Sequence, residues 1–154
     1  RLYVGVISSG FDSVVKASPL ASHLDFVVGS QLGIDHDGTV FVKQLITPRA
    51  KADVLLDLQG VGLPDLPLSD ICYTGDGFTD LEAFDLVGRS GGATLAVYAP
   101  SSPEARGYAE SLLGSCLGLQ DICPAEFGPG GGASKWLQEW LINSTKNIDQ
   151  SPRR

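Results

Sequence analysis

The chain has 154 residues, 43% of them hydrophobic and 19% charged, with a net charge of −7 and a pI near 4.6. That length and balance predict one domain with a real hydrophobic core and exclude a disordered chain. No basic stretch interleaved with aromatics offers a nucleic-acid surface, and no apolar run approaches the roughly 20 residues of a membrane-spanning helix.

Residues 2–8 are apolar nearly throughout, the pattern of a strand buried on both faces in a parallel sheet. A helix is predicted over 11–17, ending near Ser18-Pro19, and a short strand over 25–29. Two β-rich stretches, 31–35 and 39–46, flank His36-Asp37-Gly38. An Asp-Gly there signals a hairpin, because glycine accepts a positive φ without steric cost. Val54, Leu55 and Leu58 stand at helical spacing in a helix over 49–58 that stops at Gly60. Beyond a Gly/Pro loop come a strand over 70–74, a helix over 78–87, a strand over 93–98 and a helix over 103–113 with Ser102 as its N-cap. A short strand over 119–123, a glycine-rich turn over 128–132, a helix from 134 to about 144 and a polar, frayed tail over 149–154 complete the chain. Strands alternating with helices at these lengths indicate an α/β domain, extending over 1–148, with a mainly parallel sheet and no internal repeat.

Cys72, Cys116 and Cys123 form no CxxC pair and leave one odd. With no signal-peptide architecture at the N-terminus, that usage suits a reducing, cytoplasmic setting better than a disulfide scaffold. The chain contains no methionine and opens inside an apolar strand pattern. It is therefore expected to be the later part of a longer protein.

The sharpest local feature is Cys72-Tyr73-Thr74-Gly75-Asp76-Gly77-Phe78-Thr79-Asp80. A strand ends, glycines free the backbone, and two carboxylates four residues apart straddle the turn into a helix. Ligands of open α/β sheets bind at such strand ends, and paired acids there can converge on Mg²⁺, which favours oxygen ligands. The plain alternative makes Asp76 a turn residue and Asp80 a favourable charge at a helix start. Ser8-Ser9-Gly10, at the end of the first strand, offers a hydroxyl and backbone N–H groups to an anion, or Ser8 simply caps the next helix. Lys51 lies near the start of its helix, where the dipole disfavours a cation; it faces an anion there or is a solvated surface lysine.

In that order and on those elements, the strand-end serine, the lysine and Gly-Asp-Gly-x-Thr-Asp resemble motifs two, three and four of the haloacid dehalogenase-like hydrolases. The phosphoserine-phosphatase-like branch is the most similar. The likeness extends over nearly the whole chain, including the strand in Gly91–Tyr98 and the segment Asp121–Ala125. It implies a Rossmann-like three-layer sandwich with a mainly parallel sheet and a small β-hairpin insertion at about 31–46. It also implies hydrolysis of a phosphorylated small molecule through an aspartyl-phosphate. By this resemblance Ser8, Ser9 and Gly10 hold phosphoryl oxygens, Lys51 neutralises charge, Asp76 binds Mg²⁺ with Asp80 in support, and Gly75, Gly77 and Thr79 shape the turn.

The family's first motif, DxDx[TV], which carries the nucleophile on the central strand, is not found ahead of Ser8. Asp35-His36-Asp37-Gly38-Thr39-Val40 matches it in letters, but its Asp-Gly belongs to the hairpin turn. The expected partner is therefore the missing N-terminal segment of the parent chain. A catalytically dead relative that binds phosphate ligands or a protein is the alternative. Gly88-Arg89-Ser90-Gly91-Gly92 spells the GxSxG of serine hydrolases, but a helix precedes it and a strand follows, the reverse of a nucleophile elbow. The Gly128–Ala133 run has too little chain after it for a dinucleotide-binding unit, and Trp136 and Trp140, four apart, suit core packing. Lacking a central strand, the chain alone exposes unpaired edges. It is expected to be inactive as a phosphatase, prone to aggregation and poorly stable, with a broad, low melt by circular dichroism; a sharp, high-temperature transition would count against this.

Overall fold

The strands form two three-stranded sheets in a computed structural model that describes residues 1–150. Contacts divide the chain between Leu66 and Pro67 into two units, each with one of the sheets. The class is α/β, with one mixed and one parallel sheet flanked by helices.

The first unit contains β1 (Gly5–Phe11), α1 (Asp12–Lys16), β2 (Phe26–Ile34), β3 (Val40–Gln44) and α2 (Pro48–Leu56). The two stretches predicted around 25–35 are one nine-residue strand with two roles. Its first half pairs in parallel with β1, and its second half pairs antiparallel with β3. Ser30 sits at the changeover, 1% exposed, and bonds to both sides. The hairpin forms where the Asp-Gly predicts it, with Gly38 at φ 86° and its N–H donated to Asp35 O. The first strand differs from its prediction. It begins at Gly5, continues to Phe11, and none of its residues is fully buried, because β1 is an edge with a single neighbour in its sheet. The helix after it is correspondingly short and starts at Asp12.

The second unit contains β4 (Cys72–Gly75), α3 (Leu81–Arg89), β5 (Ala93–Tyr98), α4 (Pro103–Ser115), β6 (Asp121–Pro124) and α5 (Gly132–Gln150). A 3-10 turn, Phe78–Asp80, leads into α3, where the sequence suggests continuous helix. Ser102 caps α4 through Ala105 N–H, as predicted. Helix α5 continues well past residue 144 because its backbone pattern is uninterrupted to Gln150; of the predicted tail, residues 151–154 lie outside the described residues.

Strand β5 lies between β4 and β6, and residues 93–97 are all buried. Side chains alternate along a strand, so five buried in succession require cover on both faces. On one side Leu95 and Val97 pack with Ala133 and Trp136, and the indole N–H donates to Asp121 Oδ2 at 3.0 Å. On the other, Thr94 is fully buried yet satisfied: its hydroxyl donates to Gly118 O at 2.6 Å and accepts from Gln120 N–H at 3.0 Å. Gln120 in turn donates its side-chain amide to Gly92 O. This bonding staples the approach to β6 onto β5.

Among the described residues no helix is long and apolar enough to cross a membrane. Thr94→Val keeps the shape of the side chain but strands Gly118 O and Gln120 N–H without a partner. It is expected to cost about 1–3 kcal/mol in urea unfolding, with Thr94→Ser recovering most of the loss.

Candidate functional site

The acidic turn begins where β4 ends. Gly75 is the last strand residue, paired with Ala96, and Asp76 follows it directly with its side chain exposed. Asp80 is the opposite case, 3% exposed. A carboxylate that deep must be met by donors, and it is. Tyr73 Oη donates to Asp80 Oδ1 at 2.6 Å, while the N–H groups of Asp76 and Gly77 both point to Oδ2 at 3.3 Å. Asp80 N–H donates back to Gly77 O at 3.0 Å, so the turn is closed from both ends.

The two acids therefore divide the work. Asp80 grips the backbone of the turn, and Asp76 presents its carboxylate outward at the C-terminal end of a parallel strand. The donors are oxygens alone, a set that fits a hard cation such as Mg²⁺ and suits neither zinc nor copper. Among the described residues no group of three or more His, Cys, Asp and Glu side chains converges. One or two protein carboxylates are what a Mg²⁺ site ordinarily uses, with phosphate and water supplying the rest.

The two glycines of the motif differ. A Cβ on Gly75 would sit 2.5 Å from Asp80 Cγ, so only glycine leaves room for the carboxylate. Gly77 is extended, at φ −166°, with open space where a Cβ would be. Thr79 lies within the 3-10 turn between Gly77 and Asp80. Cys72, at the foot of the same strand, is no nucleophile at neutral pH, because burial pushes its thiol up to about 11.

The first unit carries the other candidates. Ser8 and Ser9 lie inside β1, since the strand extends past them. Register jumps from the pair Ser8 and Gly29 to the pair Phe11 and Ser30, leaving Ser9 and Gly10 as a bulge. Ser8 does not cap the next helix. Its Oγ accepts the Gly10 N–H at 3.0 Å, and Phe11 occupies the N-cap of α1 without a side-chain bond. Ser9 Oγ is buried and has no hydrogen-bond partner among the described residues. Lys51 is 5% exposed, which removes the solvated-lysine reading. It sits on the fourth residue of α2, whose N-cap Thr47 accepts from Ala50 N–H, and α2 packs on β1.

Sequence reasoning missed two residues. Ser30 donates to Ser9 O at 2.8 Å and accepts from Ile46 N–H at 3.0 Å, tying the bulge to the segment that enters α2. Tyr73 donates its hydroxyl to Asp80 Oδ1 at 2.6 Å. A serine in a strand carries no local signal, but a tyrosine in a four-residue strand ahead of two acids does, since a buried phenol needs an acceptor.

The look-alike motifs are accounted for by their positions. Asp35 and Asp37 occupy the exposed hairpin turn, both held below the usual carboxylate range by hydrogen bonds, to His36 and to Thr39 respectively. Ser90 follows α3 and precedes β5, with Gly91 in the left-handed region, so no nucleophile elbow forms. Gly130, also left-handed, belongs to a turn before α5.

No family model matches the chain, and comparison with curated proteins finds no match.

Gly75→Ala is expected to displace the Asp80 carboxylate and lower stability by about 1–3 kcal/mol, the usual cost of overpacking a filled site. Gly77→Ala, with open space at its Cβ, is expected to stay within about 0.5 kcal/mol of the unsubstituted protein. Urea unfolding of the two variants side by side checks the contrast.

Proposed function

We propose that this chain carries the phosphate-holding and Mg²⁺-binding parts of a phosphatase of the haloacid dehalogenase-like type, built on a Rossmann-like core. The observation that carries the reading is the turn of residues 75–80. An exposed carboxylate, Asp76, stands at a parallel strand end on a backbone that the buried Asp80 grips. The burial of Lys51 and the bulge at Ser9 and Gly10 support it, in the chain order that such an enzyme needs.

In this reading Asp76 holds the cation, and Asp80 keeps the turn in place. Ser8 offers its hydroxyl, steadied by the N–H that Gly10 donates to its Oγ, and Ser9 its backbone N–H to phosphoryl oxygens, and Lys51 offsets negative charge on the phosphate. When bound, Mg²⁺ screens the charge of the transferring group. No nucleophile is assigned within these 154 residues, since Asp35 and Asp37 belong to the hairpin turn. The substrate class is a phosphorylated small molecule. A cytoplasmic setting suits the three cysteines, which form no CxxC pair and leave one odd.

Calorimetric titration with inorganic phosphate, with and without Mg²⁺, is expected to show binding that needs the metal. Asp76→Asn is expected to weaken Mg²⁺ binding by more than the roughly 10–100-fold that loss of an outer-shell partner costs. Phosphate binding indifferent to both Mg²⁺ and Asp76→Asn would overturn the proposal. Turnover of a generic aryl phosphate distinguishes an enzyme from a module that binds phosphate without reaction.

A further inference from the structure

Tyr73 belongs to no motif that the proposed reaction uses, yet its hydroxyl makes a short bond to the buried acid of the turn. Its ring is fixed from the side by Phe84, edge-on, with centroids 5.5 Å apart and planes at 84°. From that position the hydroxyl reaches Asp80 Oδ1 at 2.6 Å, within the range of a charge-assisted O–H···O⁻ bond. The two backbone bonds to Oδ2 are both 3.3 Å, long for N–H···O. The short bond therefore anchors Oδ1, and the two longer ones follow the orientation of the carboxylate it helps to fix. Burial first, and then the negative charge of Asp80, push the phenol well above its usual range, so the hydroxyl stays a donor.

We propose that Tyr73 is a positioning residue: through Asp80 it holds the N–H groups of Asp76 and Gly77, and so aims the Asp76 carboxylate at its cation. The inference rests on the Mg²⁺ reading of the same turn and adds to it a residue that the motif does not contain. It also orders the parts. Tyr73 in the strand orients Asp80, Asp80 orients the turn, and the turn presents Asp76. Outer-shell partners of this kind govern metal affinity because they decide where the ligand stands before the ion arrives.

Tyr73→Phe tests this, since it removes one oxygen and keeps the ring against Phe84. Two measurements are made on the intact protein: amide hydrogen exchange by residue, and Mg²⁺ titration. The expected result is faster exchange confined to the Asp76 and Gly77 amides, with Mg²⁺ bound about tenfold more weakly than by the unsubstituted protein. Unchanged exchange at those two amides, or an increase spread over β4, β5 and β6 with Mg²⁺ affinity kept, would overturn the inference and leave Tyr73 a core residue only. Absence of Mg²⁺ binding by the unsubstituted protein would overturn the metal reading and this inference with it. That outcome is told apart from failure of the inference alone by the unsubstituted titration.

Discussion

A charge withdrawn from water must find its donors inside the protein, and the Asp80 carboxylate is where this chain meets that demand. Its donors include one phenol and two backbone amides. Each has a consequence for the surroundings. The phenol requires Tyr73 to point inward from β4 and to rest against Phe84. The amides require the backbone after Gly75 to fold back over the acid. Space for the acid requires that residue 75 have no side chain. The turn that presents Asp76 is thus determined by how a buried charge is solvated. Leaving such a charge unmatched costs several kcal/mol, so the arrangement is strongly enforced.

The rest of the second unit gives this turn a rigid base. Strand β5 is buried over residues 93–97 and pairs with β4 through Gly75 itself, which joins with Ala96. Thr94 and Gln120 bond β5 to the chain entering β6, and α5 covers Leu95 and Val97 with Ala133 and Trp136. Movement at the end of β4 would therefore disturb a packed core, which supports a pre-organised carboxylate better than a loop would.

The first unit is built differently. Its sheet turns from parallel to antiparallel within one strand, at Ser30, and its bulge at Ser9 and Gly10 is held by that serine and not by ladder bonds. The hairpin beyond it sets Leu32 opposite Val42 and Ile34 opposite Val40, all four exposed, while the Phe41 ring lies over Gly33. Helix α2 brings a buried lysine to the unit through Lys51.

Much of the fold was legible because its determinants are local. The hairpin follows from the φ that Gly38 alone tolerates, the start of α4 from the hydroxyl of Ser102, and the strands and helices of the second unit from hydrophobic period. The acidic turn was found for the same reason: two glycines and two acids lie within six residues, so chain geometry alone brings them together. The environment of each candidate was not legible. That Lys51 is buried, that Ser8 turns its oxygen onto Gly10 and not a helix start, and that Tyr73 anchors Asp80 are decided by packing between elements. The sequence by itself determined where the turns, caps and acids stand along the chain, because those depend on dihedral angles and near neighbours. Only the tertiary structure decided which acid is buried and which faces outward, because burial depends on what the rest of the chain lays over it.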